Sequence, residues 1–152
     1  MILLRAARPE DELTLLELTR RLALFQPPAW RTREEIILAD HPILVGALRH
    51  PADENSIIVA EFGGSIAGFV FSTTKQDYFT GRDHAHVEVL TVAESAEGKG
   101  VGRALLQAAE TWATQRGYPH ITLNVFAVNE RARAVYERNG YGQETVHYLK
   151  PL

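Results

Sequence analysis

The sequence contains no cysteine among its 152 residues. This absence excludes a disulfide framework, a thiolate-bound zinc ion and a cysteine nucleophile. Long apolar runs are also missing, since no window approaches the ~20 apolar residues of a membrane-spanning helix. The apolar start, residues 1–4, is interrupted at Arg5, too soon for a signal peptide. We therefore expect a cytoplasmic protein that has no association with membranes.

The chain also has no large excess of positive or negative charge. The chain has 16 Lys and Arg against 19 Asp and Glu, a formal net charge of −3, and no basic run. Proteins that bind nucleic acids usually concentrate positive charge on one surface, so we expect no nucleic-acid partner. With 45% hydrophobic and 23% charged residues the composition is that of an ordinary globular protein. The length predicts one domain over residues 1–152.

Helix and strand signals alternate along the chain. Pro9 and the capping-box residue Thr32 mark two helix starts, and Pro42 must bend or divide the second helix. Gly63 and Gly64 separate two β-rich runs and predict a hairpin. The result is an α/β (mixed α+β) domain in the order β-α-α-β-β-β-α-β-α-β. The predicted strands cover 2–6, 56–62, 66–71, 87–92, 120–126 and 144–149, a polar loop covers 73–83, and two later helices follow residues 100 and 129.

A glycine-rich turn follows the strand predicted at 87–92. Its residues are Glu97-Gly98-Lys99-Gly100-Val101-Gly102-Arg103. Glycines let the backbone approach an anion, and the free N–H groups at a helix start favour phosphate. The turn is not a P-loop, because Gly100 rather than Ser or Thr follows Lys99, and Leu105 replaces the last glycine of a dinucleotide fingerprint. The segment fits either a site for another phosphate ligand or a plain strand-to-helix connection.

Together with a second motif, this turn resembles the GNAT superfamily of N-acetyltransferases. The family's first motif is (Arg/Gln)-x-x-Gly-x-(Gly/Ala) at a helix start, and Gly100 and Gly102 match its small positions. Glu97 departs from it, since it stands where the family has Arg or Gln. The second match is Asn129-Glu130-Arg131-Ala132-Arg133-Ala134-Val135-Tyr136-Glu137-Arg138-Asn139-Gly140-Tyr141, similar to N-x-x-A-x-x-x-Y-x-x-x-G-(F/Y). The order of elements agrees along essentially the whole chain.

The resemblance implies a GNAT-like acyl-CoA N-acyltransferase fold, with a mixed, mostly antiparallel sheet and helices on both faces. It implies acetyl-CoA as cosubstrate, bound where two strands splay apart, and direct acetyl transfer to a primary amine in a ternary complex. The amine would belong to a small molecule or peptide, no metal is expected, and homodimers are common in the family. The residues implied for cofactor binding are the backbone of Leu90 and Val92 along the pantetheine arm, the amides of Gly98, Lys99, Gly100, Val101, Gly102 and Arg103 at the pyrophosphate, and Asn129 opposite them.

Acetyl transfer to an amine needs a base, and an acid that protonates the departing thiolate. The resemblance assigns Glu88, on the central strand, as the base, acting directly or through water. It assigns Tyr136 as the acid, because a phenol with a pKa near ~10 can donate a proton to a thiolate. Each residue also has a structural interpretation: a strand carboxylate for Glu88, a packed aromatic for Tyr136 and a helix N-cap for Asn129.

Two functional alternatives remain at this stage. A non-catalytic module that binds or senses acyl-CoA would keep the glycines but would not need Glu88 or Tyr136. A metal-binding protein would use His84, His86 and Glu88, which lie at i, i+2 and i+4 on one face of an uninterrupted strand. A strand bulge would break that alignment. His84 or His86 would then line the acceptor pocket or relay protons.

Other side chains suggest an acceptor pocket. Asp77 and Asp83, before the central strand, carry the charge that would attract a cationic amine. Aromatic residues near these segments have the size to shape such a pocket, or simply to pack: Phe25, Trp30, Tyr78 and Phe79.

Overall fold

The computed structural model describes all 152 residues and contains one five-stranded sheet. The strands lie in the order β1-β2-β3-β4-β5; the first four pair antiparallel, and β4 and β5 pair parallel. This is the mixed, mostly antiparallel sheet that the resemblance predicts. The strands are β1 Ile2–Ala6, β2 Asn55–Phe62, β3 Ser65–Gln76, β4 Asp83–Val92 and β5 Ile121–Leu123.

Five helices connect and cover these strands. They are α1 Glu12–Leu18, α2 Arg33–Leu38, α3 His41–Arg49, α4 Val101–Gln115 and α5 Glu130–Arg138, with short 3₁₀ segments at Pro9–Asp11, Thr19–Ala23 and Glu94–Ala96. Thr32 and Glu35 form the predicted capping box at the start of α2. Pro42 lies in the first turn of α3, so the second predicted helix is divided there, as expected.

The helices cover both faces of the sheet. Because successive strand residues point to opposite faces, Phe69 and Phe71 pack under α1 and α3 in a first core, whereas Val70 packs under α4 in a second core. Leu15 and Leu44 are fully buried in the first core, and Leu105 is fully buried in the second. The sheet is therefore held rigidly on both sides of its central strands.

Three of the predicted segments, one loop and two strands, differ from the structure. Residues 73–83 are not all loop, because β3 continues to Gln76 and β4 already begins at Asp83. The strand predicted at 120–126 is shortened to Ile121–Leu123, and the strand predicted at 144–149 does not form. A strand needs a neighbour for its backbone hydrogen bonds, and alternating residues without that neighbour stay irregular.

The longest helix, α4, has 15 residues. No helix has the combination of length and apolar character that crossing a membrane requires.

Candidate active site

A β-bulge in β4 places Glu88 outside the regular strand pairing. Val87 and Val89 pair with Ser72 and Phe71 of β3, and Glu88 between them has no partner. Val87 consequently enters the second core and Val89 the first core. The bulge therefore turns the Glu88 side chain relative to the ladder without disturbing the buried valines on either side.

A gap between β4 and β5 opens at this bulge. The parallel pairing covers only three residue pairs and ends at Val87 and Leu123. Beyond it, β4 continues to Val92 while the other chain segment leaves the sheet toward α5. The backbone edge of β4 from Glu88 onward thus lacks a strand partner on the β5 side. This is where the resemblance places Leu90 and Val92 along the pantetheine arm.

The carboxylate of Glu88 is anchored through one oxygen only. Thr73 Oγ1 donates to Oε1 at 2.9 Å, and Lys75 Nζ lies 3.2 Å from the same oxygen. Oε2 accepts no hydrogen bond within the chain and lies 3.9 Å from His86 Nε2. The side chain is only 12% exposed. Glu88 is therefore not a solvent-exposed strand carboxylate, and it presents one oriented, unpaired oxygen.

Two further titratable groups beside Glu88 have shifted pKa values. Burial lowers the pKa of His86 to about 4, so this imidazole is neutral at pH 7. Burial also raises the pKa of Asp40, and the negative charge of Glu88 raises it further. Asp40 immediately precedes α3. No sequence motif marks Asp40, Thr73 or Lys75, because only the folded chain brings them to Glu88.

The structure does not assemble His84, His86 and Glu88 as a set of metal ligands. His84 Nε2 and His86 Nδ1 instead lie 3.1 and 2.7 Å from the same atom, Thr122 Oγ1. Both imidazoles are thereby tied to β5, and the bulge at Glu88 interrupts the regular strand. The metal interpretation for these three residues is wrong.

The glycine turn presents a set of unpaired amides. Gly98 and Gly100 have φ of +71° and +83°, a region that favours glycine, and Gly100 is the N-cap of α4. Val101 is 1% exposed and anchors the turn in the second core. The Lys99 N–H donates to Ala96 O at 3.4 Å. The other predicted amides have no acceptor in the chain: Gly98, Gly100, Val101, Gly102 and Arg103.

Two arginines neutralise Glu97, the residue that departs from the family motif. Its carboxylate forms ion pairs with Arg21, from the segment after α1, and with Arg131 in α5, at 3.1 Å for the latter. The hydrogen bond from Arg131 lowers the pKa of Glu97. Arg21 also donates to the carbonyl of Val92 at the end of β4. Sequence reasoning missed both arginines, although an acid in this position signals the need for a cationic partner.

Asn129 is the N-cap of α5 and Tyr136 lies within this helix, which follows the segment that diverges from β4. Asn129 Oδ1 accepts a hydrogen bond from the Ala132 N–H at 3.2 Å, so the N-cap interpretation is confirmed. Tyr136 stacks edge-on against Tyr141, with centroids 6.0 Å apart, and its hydroxyl has no partner in the chain. Burial raises the pKa of Tyr136. Its phenol is therefore protonated at neutral pH.

The proposed acceptor-pocket residues are mostly dispersed. Phe25 contacts Phe126, with ring centroids 5.3 Å apart, and so joins the segment after α1 to the chain beyond β5. Trp30 is 47% exposed, and Tyr78 and Phe79 pack edge-on against each other while remaining largely exposed. Asp83 is exposed, and the Asp77 carboxylate accepts hydrogen bonds from the Phe79 and Thr80 N–H groups of its own turn.

A groove of about 530 Å³ lies elsewhere, between α4 and the first two strands. Leu4, Ile58 and Trp112 are among the side chains that line it. It contains none of the residues that the two sequence motifs single out.

Comparison with known proteins agrees with this geometry. A family model described as the acetyltransferase (GNAT) family matches residues 15–141. An uncharacterized N-acetyltransferase of Bacillus subtilis, YhfO, is 36% identical over 100 residues, which are 62% of this chain and 65% of that protein. Streptothricin acetyltransferase of Streptomyces lavendulae is 32% identical over 96 residues, 63% of this chain and 49% of that protein. The chain thus covers less than two thirds of either relative.

Among solved structures, a Pyrococcus furiosus chain assigned provisionally as an acetyl transferase has a TM-score of 0.78 at 26% identity. The alignment covers 100% of both chains. The fold that the sequence motifs imply is confirmed.

Proposed function

Because the chain belongs to the acetyltransferase (GNAT) family, we propose that it transfers the acetyl group of acetyl-CoA to a primary amine. Residues 1–152 act as one catalytic domain in this proposal. The observation that carries it is the bulge at the opening of the β4–β5 gap, which presents Glu88 with a free Oε2. A glycine turn that only connects a strand to a helix would not need the bulge. A carboxylate with only a structural role would not need an unpaired oxygen.

The glycine turn supports acetyl-CoA as the cosubstrate. Five amides without acceptors lie in the turn and in the first residues of α4, where the helix dipole is positive, and such a segment suits a pyrophosphate. Glu97 by itself would repel that anion, but Arg21 and Arg131 offset its charge. The edge of β4 that lacks a strand partner is suited to hydrogen-bond the amides of the pantetheine arm. Leu90 and Val92 are the proposed positions, Val92 through its N–H, because its carbonyl already accepts from Arg21.

Direct transfer requires a base at the amine and a proton donor at the thiolate, the roles that we assign to Glu88 and Tyr136. Glu88 Oε2 takes a proton from the ammonium group, directly or through water, and leaves a neutral amine. The amine nitrogen attacks the thioester carbonyl carbon, and a backbone N–H of the free β4 edge stabilises the resulting oxyanion. The C–S bond then breaks, and the Tyr136 phenol donates its proton to the departing thiolate. The protonated phenol that burial maintains is the form this step needs. The acetylated nitrogen releases its second proton to the Tyr136 phenolate, directly or through water, and Glu88 returns its own proton to solvent, which restores both residues.

The electrostatics beside Glu88 favour an acceptor that arrives as a cation. Asp40 lies close enough to Glu88 that, after burial, the charge of Glu88 raises the pKa of the Asp40 carboxyl group further. His86, being neutral at pH 7, adds no repulsive charge. One relative is named streptothricin acetyltransferase. We propose a small, positively charged primary amine as the acceptor.

Turnover of acetyl-CoA with a panel of amines tests this function. The panel contains polyamines, aminosugars, amino acids and short peptides, and the readouts are free thiol release and the mass of the product. We expect one class of amine to gain an acetyl group, with initial-rate lines that intersect, as a ternary complex requires. Tight CoA binding without turnover on any amine would instead favour the non-catalytic binding module.

A further inference from the structure

Asp77, His84 and His120 come together at the end of the β4–β5 pair that lies away from the gap. Asp77 follows β3, His84 is near the start of β4, and His120 immediately precedes β5. Each offers one ligand atom, and these atoms all lie within 4.8 Å of one another. We propose that the three side chains bind one divalent transition-metal ion, at a site separate from the acetyl-transfer residues.

His84 has a buried nitrogen that the protein leaves without a partner. The residue is only 7% exposed, and its Nε2 lies 3.1 Å from Thr122 Oγ1. Its Nδ1 is buried and has no hydrogen bond. An unsatisfied buried polar atom is costly, and a bound metal ion would supply the missing interaction.

Asp77 is held in an orientation that leaves one oxygen available. Its Oδ1 accepts hydrogen bonds from the Phe79 and Thr80 N–H groups at 3.0 and 2.8 Å. Its Oδ2 makes no such bond and lies 3.6 Å from His120 Nε2. Ligand atoms around a tetrahedral ion are about 3.4 Å apart, given bonds of about 2.1 Å. The His120 side chain is 42% exposed, so a small rotation of its ring can complete this geometry.

The donor set selects the class of ion. Two imidazoles and one carboxylate suit zinc, cobalt or nickel, whereas calcium and magnesium prefer oxygen ligands throughout. The site lies four strand residues before Glu88, about 13 Å away at the rise of a β-strand. A bound ion would fasten the β3–β4 turn to the start of β5. Its effect is therefore stabilisation of this end of the sheet, not catalysis.

Metal titration of the untagged, chelator-treated full chain tests the proposal. We expect one Co²⁺ per chain by visible absorption, one Zn²⁺ by calorimetry, and a higher Tm in the presence of Zn²⁺. His120→Ala and Asp77→Asn each remove a proposed direct ligand and should weaken Zn²⁺ binding by at least about ten-fold, since losing even a residue that only supports a ligand usually has that effect. The amide side chain in Asp77→Asn would keep the oxygen that closes the turn. The control is His147→Ala, an exposed histidine in the irregular C-terminal segment, with unchanged affinity.

Two results would overturn the site: a folded wild-type chain that binds neither ion, or equal affinity in the wild type, His120→Ala and Asp77→Asn. Acetyl-CoA binding by the same samples is measured in parallel. Since the metal residues lie outside the proposed cofactor site, acetyl-CoA binding should persist in all variants, which separates this proposal from the proposed function.

Discussion

At the scale of single residues, the atoms that we propose as base and acid, Glu88 Oε2 and the Tyr136 hydroxyl, share one property, which is that neither has a hydrogen-bond partner in the chain. Glu88 Oε1 is engaged by Thr73 and Lys75, but Oε2 is free. The Tyr136 hydroxyl is likewise unpaired, while its ring is fixed against Tyr141. Rigid support of the side chain with a free functional atom is what acid–base chemistry requires.

Replacing Glu88 by glutamine tests the role of the free oxygen. The Glu88→Gln side chain keeps the size and the contact with Thr73 but cannot accept the ammonium proton. We expect kcat to fall by about 10²–10⁴-fold with little change in KM for acetyl-CoA. Steady-state kinetics measure both constants. Glu94→Gln, an exposed carboxylate in the 3₁₀ segment after β4, is the control, and equal kcat values in the two variants would refute the base assignment.

Tyr136→Phe removes only the proposed proton donor. Because burial raises the pKa of Tyr136, the phenol keeps its proton to higher pH than an exposed tyrosine would. We expect kcat to fall about 10²-fold at neutral pH while Tm is retained, since the ring still packs against Tyr141. The comparison variant is Tyr148→Phe, whose side chain is 90% exposed. An undiminished kcat would show that another group protonates the thiolate.

At the scale of the elements, an ion-pair cluster connects β1 to the first helical segment. Arg5 of β1 donates to both carboxylate oxygens of Asp11, at 2.8 and 3.1 Å, and also to Glu61 of β2. Asp11 is only 6% exposed. The hydrogen bonds from Arg5 lower the pKa of Asp11, so folding favours the ionised form of this carboxyl group.

Asp11→Asn should therefore lower the free energy of unfolding by about 1.5–3 kcal/mol at pH 7, the usual range for hydrogen bonds to charged groups. The folded-state pKa lies below the unfolded value of ~3.9, so this stabilisation is present above that pH and is lost as the pH falls further. Urea denaturation of wild type and variant across this range measures the difference. The difference in unfolding free energy between wild type and Asp11→Asn should shrink in acid. The control, Glu17→Gln, removes one partner of a solvent-exposed ion pair and should change stability by less than about 1 kcal/mol. A pH-independent difference would contradict the ion-pair account.

At the scale of the whole molecule, Glu97 links three parts of the chain that surround the proposed cofactor site. Arg21 comes from the segment after α1, Glu97 from the glycine turn and Arg131 from α5. Arg131→Met would leave Glu97 less neutralised beside the pyrophosphate. We expect acetyl-CoA to bind more weakly, by less than about ten-fold because Arg131 is 74% exposed and its charge is screened by solvent. Calorimetry at fixed salt measures this, with Arg138→Met, exposed on the same helix, as the control. Equal affinities in the two variants would rule out this role for Arg131.

Across the whole molecule, features that depend on neighbouring residues were predictable from the sequence, whereas features that depend on distant partners were not. The capping box at Thr32, the break at Pro42 and the glycine turn depend on neighbouring residues, and all three were predicted. Strand pairing depends on distant partners, so the short β5 and the irregular C-terminal segment were not. The groups around Glu88 were missed for the same reason, since the fold brings them from two separate parts of the chain: Asp40 at the start of α3, and Thr73 and Lys75 on β3.

Calorimetric titration with acetyl-CoA, CoA, NAD and ATP tests the central claim most directly. It compares the wild type with Gly100→Val, whose side chain would obstruct the unpaired amides, and with Gly64→Val. Gly64 lies in the β2–β3 turn at the same φ of +83°, so both variants carry similar backbone strain. We predict that the wild type and Gly64→Val bind acetyl-CoA and CoA selectively, whereas Gly100→Val does not. A folded wild-type chain that fails to bind CoA would contradict the assignment of this gap as an acetyl-CoA site.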